Sequence, residues 1–161
     1  MQRAFDEGYS VSLIRREQWL TLAQSGQLRE AEPHLPELLT DPQGDAAEIC
    51  EAFVNGFCRH HRFQSAIRLL DGWISDDSDN SYPLYLRGLI RMQLEQLKYA
   101  EDDFREACRL NPTDDECTYE LAEVLRKRNE FRAALPFYRA CNGTSREISA
   151  WIGEASCLKV L

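Results

Sequence analysis

The chain has 161 residues, of which 43% are hydrophobic and 29% charged, and its formal net charge is −8. That balance is ordinary for a soluble domain or a short repeat array. It argues against partners held by neutralising phosphate, so neither nucleic acid nor an anionic membrane surface is expected.

No apolar run approaches the roughly 20 residues a membrane span needs. The N-terminus "MQRAFDEGYS" carries acids where a signal peptide would be basic and then apolar, so a cytoplasmic location is expected. Residues 1 to 11 read at most as an extension of the first helix. From Ser12 the chain alternates two kinds of helical segment. The first kind is "SLIRREQWLTLAQ", "AEICEAFVNGFCR", "YPLYLRGLIRMQL" and "ECTYELAEVLRKR", each with apolar residues at helical spacing. A short polar turn follows each: Ser25-Gly26, His60-His61, Glu95-Gln96 and Asn129-Glu130.

The second kind carries a period. Ala31, Ala66, Ala100 and Ala134 recur at intervals of 35, 34 and 34 residues. Each follows an apolar residue by three (Leu28, Phe63, Leu97, Phe131) and precedes a large one by four (Leu35, Leu70, Phe104, Tyr138). Those spacings put the side chains on one face of a helix, with alanine placed to admit another helix closely. Asp41-Pro42, "SDDSDNS" from Ser75, Asn111-Pro112 and Asn142-Gly143 separate the units. Thr113 with Glu116 and Thr144 with Glu147 have capping-box spacing, and Asn80 or Ser81 is placed to cap the third unit. Pro33 and Pro136 share one slot in their units, two residues after the alanine; Pro36 adds an interruption, so the first unit's second helix should be short or irregular.

A 34-residue period of helix–turn–helix units with a small residue opening the second helix resembles the tetratricopeptide repeat (TPR) family. The unit from Ser81 to Asp114 matches best, through Leu84, Gly88, Ala100, Phe104, Ala107 and Pro112. In the next, Leu121, Ala122, Leu125, Phe131, Ala134 and Tyr138 match, while Cys141 replaces an alanine and no proline closes the unit. The resemblance covers roughly nine-tenths of the chain. It implies an all-α, right-handed superhelical solenoid of about four and a half units, at approximately 12–46, 47–80, 81–114, 115–147 and a partial 148–161. "SAWIGEASCLKVL" then opens a helix pair whose second helix is missing, which predicts a chain continuing past Leu161, or self-association through the uncapped end.

The resemblance further implies a concave wall formed by the first helix of each unit, binding a peptide or helical segment. Carried onto this sequence, that wall includes Arg16, Leu20, Gln24, Glu48, Glu51 and Arg59. Its groove centres on Asn55, Tyr82, Tyr85, Leu86, Leu89, Met92, Tyr119, Glu120 and Glu123. A tyrosine-rich apolar patch flanked by acids predicts a protein or peptide partner that is apolar and bears Lys or Arg. Glu51, Leu86, Glu116 and Glu120 stand where a carboxylate clamp needs basic or amide groups, which argues against binding a C-terminal carboxylate. The alternative readings are a non-catalytic scaffold domain of a larger enzyme, such as a transferase or kinase, and a secretion-chaperone-like adaptor.

No catalytic, cofactor or metal site is expected. The six cysteines, Cys50, Cys58, Cys108, Cys117, Cys141 and Cys157, include no CxxC pair and read as reduced, buried thiols. "CRHH" at Cys58 to His61 supplies too few ligands for a structural zinc. His34 reads as solvent-facing. The run "DDSDN" from Asp76 lacks the glycine and distal glutamate of a calcium loop.

Overall fold

The structure, a computed structural model, describes residues 11–41 and 45–161. The expected helical extension through residues 1 to 10 and the Pro42 stop signal fall outside them. The helices are α1 Val11–Gln24, α2 Leu28–Ala31, α3 Leu35–Thr40, α4 Ala46–Arg59, α5 Phe63–Asp76 and α6 Ser81–Gln93. They continue with α7 Leu97–Leu110, α8 Asp115–Lys127, α9 Phe131–Ala140 and α10 Glu147–Leu158. Every regular element among the described residues is helical, and the fold is a solenoid of helix–turn–helix repeats.

One device closes all four turns within the pairs. Gly26, His61, Glu95 and Asn129 each take a positive φ. The next N–H then returns to a carbonyl five residues back: Gln27 to Leu22 and Arg62 to Phe57 at 2.8 Å, Gln96 to Arg91 and Glu130 to Leu125 at 2.9 Å. This is the Schellman arrangement, which satisfies carbonyls the helix end leaves open. A residue with a side chain costs about 1–2 kcal/mol in this conformation. His61 and Glu95 accept that cost, whereas Gly26 and Asn129 are residue types suited to the position, so packing must hold the second and third turns.

Packing divides the chain into two compact units, one running to Trp73 and the other spanning Ile74–Leu161. In the N-terminal unit α4 lies directly on α1. A Cβ added at Gly56 would meet the Ala23 carbonyl oxygen at 2.4 Å. His60 Nε2 donates to the Gly26 carbonyl at 2.5 Å, so this histidine joins two turns rather than lying free in one. His34 is not simply solvent-facing either, because its ring stacks on Trp19 with centroids 3.9 Å apart. Leu20, expected on the wall, is buried.

In the C-terminal unit the core runs through Leu84, Ala100, Phe104, Ala107, Cys117, Leu121, Leu125, Ala134 and Tyr138. All four periodic alanines are fully buried. A Cβ at Gly88 would sit 2.7 Å from the Phe104 ring, which shows how closely α6 rides on α7.

The second helix of the first unit departs from the pattern. It breaks into α2, a 3-10 turn at Glu32–His34, and α3, and Leu38 is buried while Leu35 is only partly covered. Pro33 and Pro36 remove two N–H groups within one turn, which an α-helix does not absorb. Pro136 removes one, and α9 remains continuous around it. The caps differ too. Asp114, not Thr113, accepts from the Cys117 N–H (3.1 Å), while Thr113 donates to Asn111. Thr144 accepts from Arg146 N–H, before α10 begins, so Glu147 forms no capping box with it. Asn80 does cap α6, accepting from Tyr82 N–H at 3.0 Å.

Candidate partner-binding face

Eight of the nine expected groove residues lie in the C-terminal unit; Asn55, exposed on α4, belongs to the N-terminal one. Helical spacing brings Tyr82, Tyr85, Leu86, Leu89 and Met92 along α6, and Tyr119, Glu120 and Glu123 along α8. Tyr82 is exposed and stacks on Tyr85 with centroids 6.5 Å apart. Tyr85 leans in turn on the Phe104 ring (6.1 Å). Tyr85, Leu89, Met92 and Tyr119 are partly buried and pack against the core, so they join the wall to the interior rather than standing free on it.

The electrostatics differ from a plain acidic rim. Glu116 is paired with Arg146, whose guanidinium also covers the Tyr119 ring at 5.3 Å. Glu123 is paired with Arg126 at 2.6 Å and accepts from the Tyr138 hydroxyl at 2.6 Å. Burial alone would raise the Glu123 carboxyl, but the Arg126 and Tyr138 hydrogen bonds and the Arg126 charge hold it below its ordinary value. Glu120 has no such relief. Burial raises it, helped by Glu123 and Glu116, against the opposing charges of Arg146 and Lys127. Burial and the nearby carboxylates of Glu120 and Glu116 push the Tyr85 hydroxyl up to about 12, so it stays a neutral donor. In the N-terminal unit, Arg16 neutralises Glu48 at 2.9 Å.

Of Glu116, Glu120 and Glu123, only Glu120 makes no ion pair among the described residues, although the charges of Arg146 and Lys127 act on it, and it lies beside a ladder of tyrosines. Arg146 is the residue the sequence reading missed. It falls one period after Pro112, in the slot where the preceding unit is closed by proline, and that register is the signal that could have found it. Among the described residues, no three His, Cys, Asp or Glu side chains gather as a metal-holding group, and no helix is long and apolar enough to cross a membrane.

Paired helices in one register, with small residues at the crossings and αL turns between them, define the class as a TPR-type solenoid. Solved structures of that fold superpose well. MamA (MSR-1) matches with a TM-score of 0.68 at 18% identity, over 89% of this chain and 83% of that one. Another MamA structure reaches 0.73 at 16% identity, over 86% and 81%. YrrB, described as a TPR protein with an unusual peptide-binding site, matches at 0.66 and 24% identity, over 77% and 64%. At these identities the likeness is one of fold. No protein-family model matches the sequence, and no curated protein does.

Proposed function

We propose that the chain is a protein–protein interaction module that takes an extended or helical segment along the α6–α8 face of its C-terminal unit. The carrying observation is the Tyr82–Tyr85 stack, exposed at one end and anchored on Phe104 at the other, facing Glu116 and Glu120. Rigid aromatic surface with polar tips suits peptide capture at low entropic cost. The peptide-binding description of YrrB, a protein of the same fold, points the same way. With Glu116 and Glu123 satisfied internally, the bound segment needs one Lys or Arg, placed at Glu120, rather than a basic stretch.

The test is affinity capture with the wild-type chain and a Tyr82→Ala/Glu120→Gln double variant. Tyr82 is exposed and glutamine keeps the shape of the half-buried Glu120, so the variant should keep its fold, whereas alanine at Tyr85 or Tyr119 would also loosen the core. Partner proteins retained by the wild type should be lost by the variant. Identical partner lists would retire the α6–α8 face.

Glu120→Gln alone separates binding from stability. A carboxyl whose folded-state value is raised opposes folding when ionised; that penalty is complete above the folded value and absent below the unfolded one. The substitution should therefore raise the melting temperature at neutral pH and leave it nearly unchanged near pH 3. Removing one charged hydrogen-bond acceptor should weaken a basic peptide roughly tenfold. A variant that loses stability at neutral pH would contradict this account of Glu120.

A further inference from the structure

Two thiols separated in sequence by the α7–α8 link meet in the C-terminal unit. Cys108 lies in the last turn of α7 and Cys117 in the first turn of α8, and their Sγ atoms are 2.9 Å apart. That is about 0.9 Å longer than a disulfide bond of about 2.05 Å. The helix ends on either side are pinned. Asn111 N–H bonds the Ala107 carbonyl at 2.9 Å, and the Asp114 carboxylate caps α8 through the Cys117 N–H itself. The two sulfurs therefore face each other across a link whose two ends are fixed.

The two sulfurs differ in access. Cys117 is fully buried and points its Sγ at the Phe104 carbonyl, 3.4 Å away. Cys108 is half-covered and opens on a surface hollow of about 490 Å³ lined by Asp102, Arg105, Glu106, Arg109, Leu121 and Phe137. One reachable thiol backed by one sheltered thiol is the arrangement of an attacking and a resolving cysteine.

We propose that Cys108 and Cys117 form a reversible disulfide, with Cys108 meeting a peroxide oxidant first. The Cys108 thiolate attacks one peroxide oxygen, so an S–O bond forms and the O–O bond breaks. Hydroxide leaves, and the sulfur, oxidised by two electrons, becomes a sulfenic acid. Cys117 then attacks that sulfur: an S–S bond forms, the S–O bond breaks, and the hydroxyl departs as water with the Cys117 proton. Two thiols and one hydrogen peroxide yield one disulfide and two waters, and a dithiol reductant reverses the change.

The local chemistry supports this order. Hydrogen bonding from Cys117 holds the Cys108 thiol below its ordinary value, with Thr118 assisting, against burial and Asp114. The same contact and burial push Cys117 far up, leaving it the protonated partner. The other two thiols of this core, Cys141 and Cys157, are fully buried, and the Cys141 Sγ lies against the Phe137 carbonyl at 3.4 Å. The bond would tie the second helix of one repeat to the first helix of the next, whatever the α6–α8 face binds.

The experiment treats the fully reduced, folded chain with stoichiometric hydrogen peroxide. Free thiols should fall from six to four. Tryptic mapping should show the Glu106–Arg109 peptide joined to the Leu110–Arg126 peptide, and dithiothreitol should release them. The oxidised form should show a higher urea midpoint. Cys108→Ser should abolish the thiol loss. Cys117→Ser should stop at a sulfenic acid on Cys108 that dimedone traps, a species the wild type does not accumulate. Six surviving thiols, linkage of a different pair such as Cys58 across two chains, or serine variants that oxidise like the wild type would each overturn the assignment. Far-UV circular dichroism on both variants establishes that they are folded when assayed.

Discussion

Phe104→Ala should destabilise the C-terminal unit by about 3–5 kcal/mol, the range for emptying a buried aromatic site. Phe104 is fully buried and serves several neighbours at once. Its ring supports Tyr85 at 6.1 Å, fills the space left open at Gly88, and sits beneath the α6–α7 crossing. The site cannot collapse around alanine, because Ala100 and Ala107, a turn away on either side, are already small and supply no side chain to move into the void. A loss of this size is a large share of the 5–15 kcal/mol typical of a domain. The urea midpoint is the measurement, and a second readout is the Tyr85 environment, which should become more exposed as its support goes. A loss below about 1 kcal/mol would mean that the α6–α7 crossing is not packed on this ring. Phe104→Leu, which keeps most of the volume, should lose far less.

The repeat was legible because it is written in side-chain volume. Alanine at one period, aromatic or leucine four residues on, and polar breaks between units point to the same helices, and all four alanines are buried where the spacing places them. The turns were legible in position but not in conformation, since His61, Glu95 and Asn129 carry no glycine signal for their positive φ. Pro33 and Pro136 occupy the same slot with different outcomes, decided by the second proline at Pro36 rather than by the shared one. The candidate face was only partly legible. Tyr82, Tyr85 and Tyr119 follow from register, but the pairing of Glu116 with Arg146 and of Glu123 with Arg126 depends on which cation bends toward which acid. The meeting of Cys108 and Cys117 depends on the geometry of a link that carries no cysteine motif.

Asp103 is the sharpest case of what side-chain type alone conceals. In "LKYAEDDFREACRL" it follows two other acids, Glu101 and Asp102, yet its side chain is only 3% exposed. Arg87 grips it with Nε 3.2 Å from both carboxylate oxygens and a second nitrogen 2.7 Å from Oδ1, while Arg91 reaches Oδ2 at 2.7 Å. Both arginines come from α6, so the cluster joins the two helices of one repeat. Arg91 also lies over the Tyr99 ring at 5.5 Å. Asp103→Asn should cost about 3–5 kcal/mol, because it removes the buried carboxylate charge that Arg87 and Arg91 share. Arg91→Gln should cost less, since Asp103 keeps the bidentate grip of Arg87. The order of those two losses is the diagnostic. If the cluster were only a surface ion pair, both substitutions would fall within about 1 kcal/mol and fade in high salt. A buried cluster instead predicts that Asp103→Asn keeps most of its cost in 1 M salt. Replacing all three residues with apolar side chains of similar volume should then recover much of the loss, since burying the charges costs solvation energy that apolar neighbours do not. The charges would then act mainly to hold α6 and α7 in one register, and crossings such as that at Gly88, which require the two helices not to slide, are where that restraint matters.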